Sequence, residues 1–184
     1  MKNILVGGVA KSGKSTFCER LTDYNHIPLD YFTASMKRNF PEWGISSNVI
    51  IGDTSSKLSL LLSTVTSIID DTNEKFIIDS AHIMPRDIIK YIDTDKWDIY
   101  FFGYPNISKE DKFDYIREIE GNRGWTGKRS DIELLDTLDK LIAISRQIQE
   151  ECKLYNIKFI DTSYNFNDVI DKEVNKIIDK DKEK

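Results

Sequence analysis

Eight residues near the start of the chain combine residue types and spacing that favour phosphate binding. The segment Gly8-Val9-Ala10-Lys11-Ser12-Gly13-Lys14-Ser15 matches the pattern G-x-x-x-x-G-K-[ST] at every fixed position. Its glycines allow consecutive backbone N–H groups to turn toward one anion, and a helix that follows the loop adds partial positive charge. We therefore expect the loop from Gly8 to Thr16 to hold phosphate oxygens, with the Lys14 ammonium reaching the outermost groups.

A divalent cation is expected beside this loop. Ser15 offers a hydroxyl, and Mg²⁺ prefers oxygen ligands while it keeps several of its waters. A second oxygen ligand is predicted at Asp79, because the apolar run Phe76-Ile-Ile-Asp79 is typical of a buried strand that ends in an acid. The pair Ser15 and Asp79 is therefore the candidate metal site.

Two kinds of residue could bind a phosphate acceptor. Asp30, predicted at the end of a second strand, could take the proton of an acceptor hydroxyl during transfer. Arg38 and Arg86 could instead anchor an acceptor that is already anionic. The sequence offers both arrangements, and we favour the hydroxyl acceptor, with Asp30 as the catalytic base.

The segment Gly121–Arg129 is positively charged, although the chain as a whole is acidic. It contains three glycines, no acid, and the cations Arg123, Lys128 and Arg129. Such a segment is expected to be mobile until an anion orders it. We predict a lid over residues 121 to 130 that brings Arg123 to the transferring phosphate and Lys128 and Arg129 to its neighbours. The alternative is a solvated connection.

Short apolar runs alternate with longer helical patterns five times along the chain. This alternation predicts an α/β fold, a three-layer α/β/α arrangement with a five-stranded parallel sheet. Helices are predicted where Leu58 to Ile69 form one apolar face, after Pro85, and after the capping serines Ser108 and Ser130. The predicted strands are Asn3–Gly7, Ile27–Tyr31, Phe76–Asp79, Asp98–Gly103 and Ile157–Asp161.

Length and charge restrict the function classes. The 184 residues are typical of a single domain, and the tail from Asp179 to Lys184 is expected to fray. The 26 basic and 31 acidic residues leave a net charge of −5, which argues against a dedicated DNA or RNA partner. No apolar run reaches the 18 or so residues of a membrane span, so we expect a cytoplasmic protein with no membrane partner. Cys18 and Cys152 are expected to be buried free thiols.

These motifs resemble the P-loop kinases of small molecules and nucleoside monophosphates, a group that contains adenylate kinase, shikimate kinase and gluconate kinase. The resemblance rests on the phosphate loop, the acids at Asp30 and Asp79, the cationic lid Arg117–Arg129 and the turn Phe159-Ile-Asp-Thr-Ser163. It implies ATP and Mg²⁺, a sheet with strand one in the centre, and a role for Arg117 in the lid. It also implies adenine contacts from the turn at Asp161, Thr162 and Ser163.

The resemblance is incomplete at the acceptor site. Adenylate kinase-like enzymes place an arginine shortly after strand two, whereas here Asp30 is followed by six residues without a cation before Lys37 and Arg38. The leading hypothesis is an ATP-dependent kinase of a small-molecule hydroxyl. The alternatives are a nucleoside monophosphate kinase, an ATPase switch and a nucleic-acid 5′-hydroxyl kinase. The oligomeric state stays open.

Overall fold

Alternate residues of the first strand enter two separate cores. In the strand β1 (Asn3–Gly8), Leu5 packs into one apolar cluster, while Ile4 and Val6 pack into another on the opposite face of the sheet. A strand that is buried on both faces needs helices on each side. The chain is described by a computed structural model, which covers residues 2–46, 53–121 and 123–182.

The five strands form one parallel sheet in the order β2-β3-β1-β4-β5. The predicted architecture and the central position of β1 are therefore confirmed. Because all strands run the same way, the ends of β1, β3 and β4 meet at one edge of the sheet. The remaining strands are β2 (Asn25–Pro28), β3 (Phe76–Asp79), β4 (Trp97–Gly103) and β5 (Lys158–Asp161).

The helices cover both faces of the sheet. One core lies under the third, fourth and seventh helices, and the other lies under the first and eighth. A smaller cluster of Ile116, Leu134 and Leu138 joins the fifth helix to the seventh. The helices are α1 (Lys14–Arg20), α2 (Leu29–Asn39), α3 (Asp53–Asp70), α4 (Pro85–Ile88), α5 (Lys109–Glu120), α6 (Gly124–Gly127), α7 (Asp131–Tyr155) and α8 (Phe166–Lys182), with a short 3-10 turn at Pro41–Trp43.

Local capping signals place two helix starts as predicted. The Ser108 side chain accepts a hydrogen bond from the backbone of Asp111, and Ser130 and Glu133 form a reciprocal capping box. Both cysteines are free and buried, as predicted.

The structure corrects the predicted second strand. Ile27–Tyr31 was expected to be a strand closed by Asp30, but β2 ends at Pro28, and Asp30 lies in the first turn of α2. The segment after Pro28 forms a helix because Leu29, Thr33 and Met36 recur at helical spacing and are all buried.

Two further expectations differ from the structure. Ile68 was assigned to the apolar face of its helix but is 66% exposed on α3. The tail expected to fray from Asp179 instead continues α8 as far as Lys182, and Asp181 accepts hydrogen bonds from Lys75 and Tyr24. The positions beyond Lys182 lie outside the described residues.

Candidate active site

The loop between β1 and α1 has a backbone that only glycine can adopt at two positions. Gly8 has a φ of +129°, and a Cβ there would lie 2.0 Å from the carbonyl oxygen of Phe102 on the adjacent strand. Gly13 has a φ of +95°, and its Cβ would lie 2.7 Å from Ile170 and Phe166 of α8. Positive φ and close packing both exclude larger residues. The two glycines therefore let the loop bend tightly against its neighbours.

Two carbonyl groups of the loop accept hydrogen bonds from side-chain hydroxyls of neighbouring segments. The Tyr104 hydroxyl donates to the Ala10 carbonyl over 2.9 Å, and the Thr162 hydroxyl donates to the Ser12 carbonyl over 3.0 Å. Among the backbone hydrogen bonds of the described residues, none has its donor N–H in residues 13 to 16. A row of unpaired N–H donors is suited to an anion such as a phosphate.

Lys14 lies inside this loop. Its side chain is buried, and its ammonium donates to the Val9 carbonyl over 2.7 Å. Burial lowers the pKa of Lys14, while the nearby carboxylates Asp79 and Asp30 oppose that shift. A buried ammonium with few partners is a strong attractor for an incoming anion.

Asp79 ends β3 beside the loop, as the sequence predicts. It is buried, and its Oδ1 lies 2.7 Å from Nε2 of His26 on β2. Ser15, which is exposed at the start of α1, lines the same cavity as Asp79. A hydroxyl and a carboxylate on one cavity wall are the hard oxygen donors that Mg²⁺ prefers, so the residues present fit this ion.

Asp30 reaches the same cavity from α2. Its Oδ1 accepts a hydrogen bond from the Ala81 amide over 3.4 Å and lies 3.9 Å from Nε2 of His82. Burial lowers the pKa of His82, and the Asp30 carboxylate opposes this shift. The predicted proximity of Asp30 to the loop is therefore present, although a helix and not a strand end provides it.

These groups meet in one cavity of about 410 Å³. Its walls also contain residues that sequence analysis missed. They are Lys112, Tyr115, Glu120, Trp125 and Phe166. Tyr115 and Phe166 form a ring pair with centroids 5.9 Å apart, which makes one wall aromatic.

Lys112 is the most informative of the missed residues. It is 2% exposed, and its ammonium lies 4.2 Å from the centre of the Tyr104 ring. Burial lowers the pKa of Lys112 to about 8. A lysine on an amphipathic helix is normally assigned to solvent. The signal available in the sequence was its spacing, since Lys112 lies one turn before Ile116, which is buried.

The four predicted lid cations lie outside the cavity lining. Arg117 braces the lid segment, because it donates to Asp131 over 2.7 Å and to the Thr126 and Arg129 carbonyls. Arg123 donates to the backbone at the end of α5, and Arg129 donates to Thr137 over 2.6 Å. Lys128 is the C-cap residue of α6 and is exposed. Their contact with phosphate stays a prediction.

Glu120 connects this segment to the loop. Its carboxylate accepts from Lys11 over 2.7 and 2.8 Å and from the Thr126 hydroxyl over 2.7 Å. Burial alone would raise the pKa of Glu120, but these hydrogen bonds lower it overall. Glu120 thus connects the segment predicted to be a lid with the phosphate loop.

The remaining predicted site residues are not on the cavity wall. Arg86 pairs with Glu151 of α7, and Arg38 lies exposed in the last turn of α2. Thr162 and Ser163 are buried at the end of β5, where the Ser163 hydroxyl donates to Asp161 over 2.5 Å. The structure therefore brings Lys14, Asp30, Asp79 and Ser15 together, and leaves both arginines outside this group.

No helix in the described part of the chain is long and apolar enough to cross a membrane. No protein-family model and no curated protein sequence matches the chain.

Solved structures do resemble it. A gluconokinase from Sinorhizobium meliloti 1021 is 13% identical, with a TM-score of 0.61 over 94% of this chain and 89% of that one. A sugar kinase from Janibacter sp. HTCC2649 is 16% identical, with a TM-score of 0.50 over 95% and 93% of the two chains. At sequence identities this low, the likeness shows a shared fold and does not show a shared function. The parallel five-stranded sheet, its helices and these likenesses together show that the chain has the same α/β fold as these two kinases.

Proposed function

We propose that this chain is an ATP- and Mg²⁺-dependent kinase that phosphorylates a hydroxyl group of a small molecule. One observation carries the proposal. The phosphate loop with Lys14, the carboxylate of Asp79 and the carboxylate of Asp30 all line a single cavity of about 410 Å³. That volume suits a small-molecule site.

Each group has a defined task in this reaction. The backbone amides of residues 10 to 16 and the Lys14 ammonium hold the phosphates, and Ser15 and Asp79 hold the ion. Bound Mg²⁺ supplies positive charge that neutralises the phosphate oxygens during transfer. The acceptor oxygen bonds to the γ-phosphorus as the bond to the departing ADP oxygen breaks, and the hydroxyl proton passes to Asp30.

A hydroxyl acceptor is favoured over a nucleoside monophosphate. A phosphate acceptor needs cations beside it, but Arg86 is paired with Glu151, and neither Arg38 nor Arg86 is among the described residues that line the cavity. Asp30 does line the cavity, and its negative charge would repel a phosphate. The lid cations Arg117, Arg123, Lys128 and Arg129 belong to this proposal as contacts made on closure, and Thr162 and Ser163 as neighbours of the adenine.

The test is ATP turnover with and without a panel of polyols, sugars, hydroxy acids, nucleosides and nucleotides. We expect turnover that depends on a hydroxyl acceptor. Asp30→Asn should then lower kcat by roughly 10²–10⁴-fold while ATP affinity stays within about twofold, because a base acts in the transition state. Asp136→Asn, on the exposed face of α7, is the matched control.

Other outcomes would point to the alternatives. ATP hydrolysis that no acceptor stimulates would favour an ATPase switch. A fully active Asp30→Asn enzyme that requires a nucleoside monophosphate would remove the catalytic base from the mechanism. Lys14→Met should reduce turnover by about 10²–10³-fold or more with any acceptor, because it removes positive charge from the transferring group.

A further inference from the structure

Three side chains with different donor atoms meet behind the phosphate loop. They are the Cys18 thiol on α1, the His26 imidazole on β2 and the Asp79 carboxylate on β3, and one ligand atom from each lies within 4.8 Å of the other two. Within this group, Nε2 of His26 is 2.7 Å from Oδ1 of Asp79. Cys18 and Asp79 are buried, so the core fixes their positions before any ligand binds.

The donor set identifies the class of ion. Sulfur, imidazole nitrogen and carboxylate oxygen together are the ligands of Zn²⁺, whereas Mg²⁺ takes oxygen ligands. Bond lengths of about 2.0–2.3 Å at tetrahedral angles put ligand atoms about 3.3–3.7 Å apart. The three atoms can reach that spacing through side-chain movements of about 1 Å, starting from separations of no more than 4.8 Å.

We propose that Cys18, His26 and Asp79 bind one Zn²⁺ ion, with a fourth ligand position open to water from the cavity that Asp79 lines. Binding forms a bond between the ion and the Cys18 sulfur, and the thiol proton leaves to solvent. Burial and then the Asp79 charge raise the pKa of Cys18, so the sulfur carries its proton before the ion arrives. The ion's own charge, placed directly on the sulfur, offsets that cost.

The site has a consequence that rests on the proposed function. Asp79 is the carboxylate assigned above to Mg²⁺, so a Zn²⁺ ion that engages it withdraws it from the Mg²⁺–nucleotide complex. Zn²⁺ should therefore inhibit phosphoryl transfer. Removing the Cys18 sulfur should relieve this inhibition, because Cys18 is a ligand of Zn²⁺ and has no part in the transfer itself.

Binding is tested on the full-length chain without nucleotide. Zn²⁺ is titrated against a chromophoric chelator, and Co²⁺ replaces it for absorption spectroscopy. We expect one ion per chain and a sulfur-to-cobalt charge-transfer band. Cys18→Ser should abolish the band and weaken Zn²⁺ binding by at least about tenfold, since loss of even a supporting group costs about 10–100-fold. Cys152→Ser is the matched control, because Cys152 is also buried but lies in the opposite core.

A second variant separates loss of a ligand from a folding defect that Cys18→Ser could cause. His26 is the outermost of the three ligands, so His26→Gln should keep the native circular dichroism spectrum and still weaken Zn²⁺ binding at least tenfold. The proposal is overturned if Zn²⁺ does not bind one to one, or if neither substitution weakens binding. Because binding is measured without nucleotide, an inactive kinase panel would not affect this result, and absent Zn²⁺ binding would leave the kinase proposal intact.

Discussion

At the scale of single residues, Lys112 is a charged side chain whose burial is not explained by the stability of the fold. It lies on the cavity wall and contacts the rings of Tyr104 and Tyr115, and none of its described contacts is a hydrogen bond to a carboxylate. A buried ammonium without a paired anion is unfavourable. In the proposed kinase, an anionic group of the bound nucleotide would pair with this ammonium.

Lys112→Met should therefore change stability and binding in opposite directions. Its folded pKa of about 8 lies below the ordinary 10.5, so the unfolded chain binds more protons between these pH values. Removing the charge should raise the free energy of unfolding below pH 8, by up to about 3 kcal/mol, and this gain should shrink as the pH rises toward 10.5. Urea denaturation at pH 7 and pH 10 measures the difference.

The same variant should bind ATP analogues about tenfold or more weakly, because a charge-assisted hydrogen bond to phosphate is lost. Lys140→Met, an exposed lysine on α7, should change neither quantity by much. A Lys112→Met protein that is less stable at pH 7, or that binds nucleotide normally, would contradict this account.

At the scale of elements, the α5–α6 segment is held to the phosphate loop by Glu120. Its carboxylate pairs with Lys11, and Lys11 also lies 5.7 Å from the centre of the Trp125 ring. In the proposed reaction, an incoming triphosphate would compete with Glu120 for the Lys11 ammonium. Nucleotide binding and rearrangement of the lid should therefore be coupled.

Hydrogen exchange of the amides in residues 123 to 130 measures this coupling. We expect protection to increase when an ATP analogue binds, because an anion among three cations orders the segment and excludes water. Arg123→Ala should reduce that protection and lower kcat. Lys153→Ala, in an exposed ion pair on α7, is the control. Unchanged exchange together with a fully active Arg123→Ala enzyme would make the segment a plain connection.

At the scale of the whole molecule, α8 is attached to the sheet edge through a partly buried acid. Glu173 accepts hydrogen bonds from Lys158 on β5 and, over 2.7 Å, from Lys176. Burial alone would raise the pKa of Glu173, but these two lysines lower it below the ordinary 4.5. The carboxylate is thus more stable in the folded chain than in the unfolded one.

Glu173→Gln should lower the free energy of unfolding by about 1 kcal/mol at neutral pH. The group's contribution is present above pH 4.5 and is lost as the pH falls through the lowered folded value, so wild type and variant should converge in acid. Thermal unfolding between pH 7 and pH 3 gives the comparison. Glu150→Gln removes an exposed pair with Lys153 and should have little effect. A constant difference across this pH range would count against the ion pair.

The local features of this protein were determined by sequence alone. The phosphate loop depends on glycines whose backbone conformations other residues avoid, and the capping box at Ser130 depends on residues three positions apart. Alternating strand and helix patterns likewise determined the parallel sheet. These signals are readable because each depends on chemistry within a few neighbouring residues.

Only the tertiary structure decided which charged residues surround the cavity. Arg86 was a candidate anchor until its pairing with Glu151, 65 positions along the chain, removed it from the site. Lys112 belongs to the site because it is buried against the Tyr104 ring, and Asp30 reaches the site from a helix and not from a strand end. Such outcomes depend on contacts between distant segments, and the desolvation that decides a charge's partner exists only after those segments have packed.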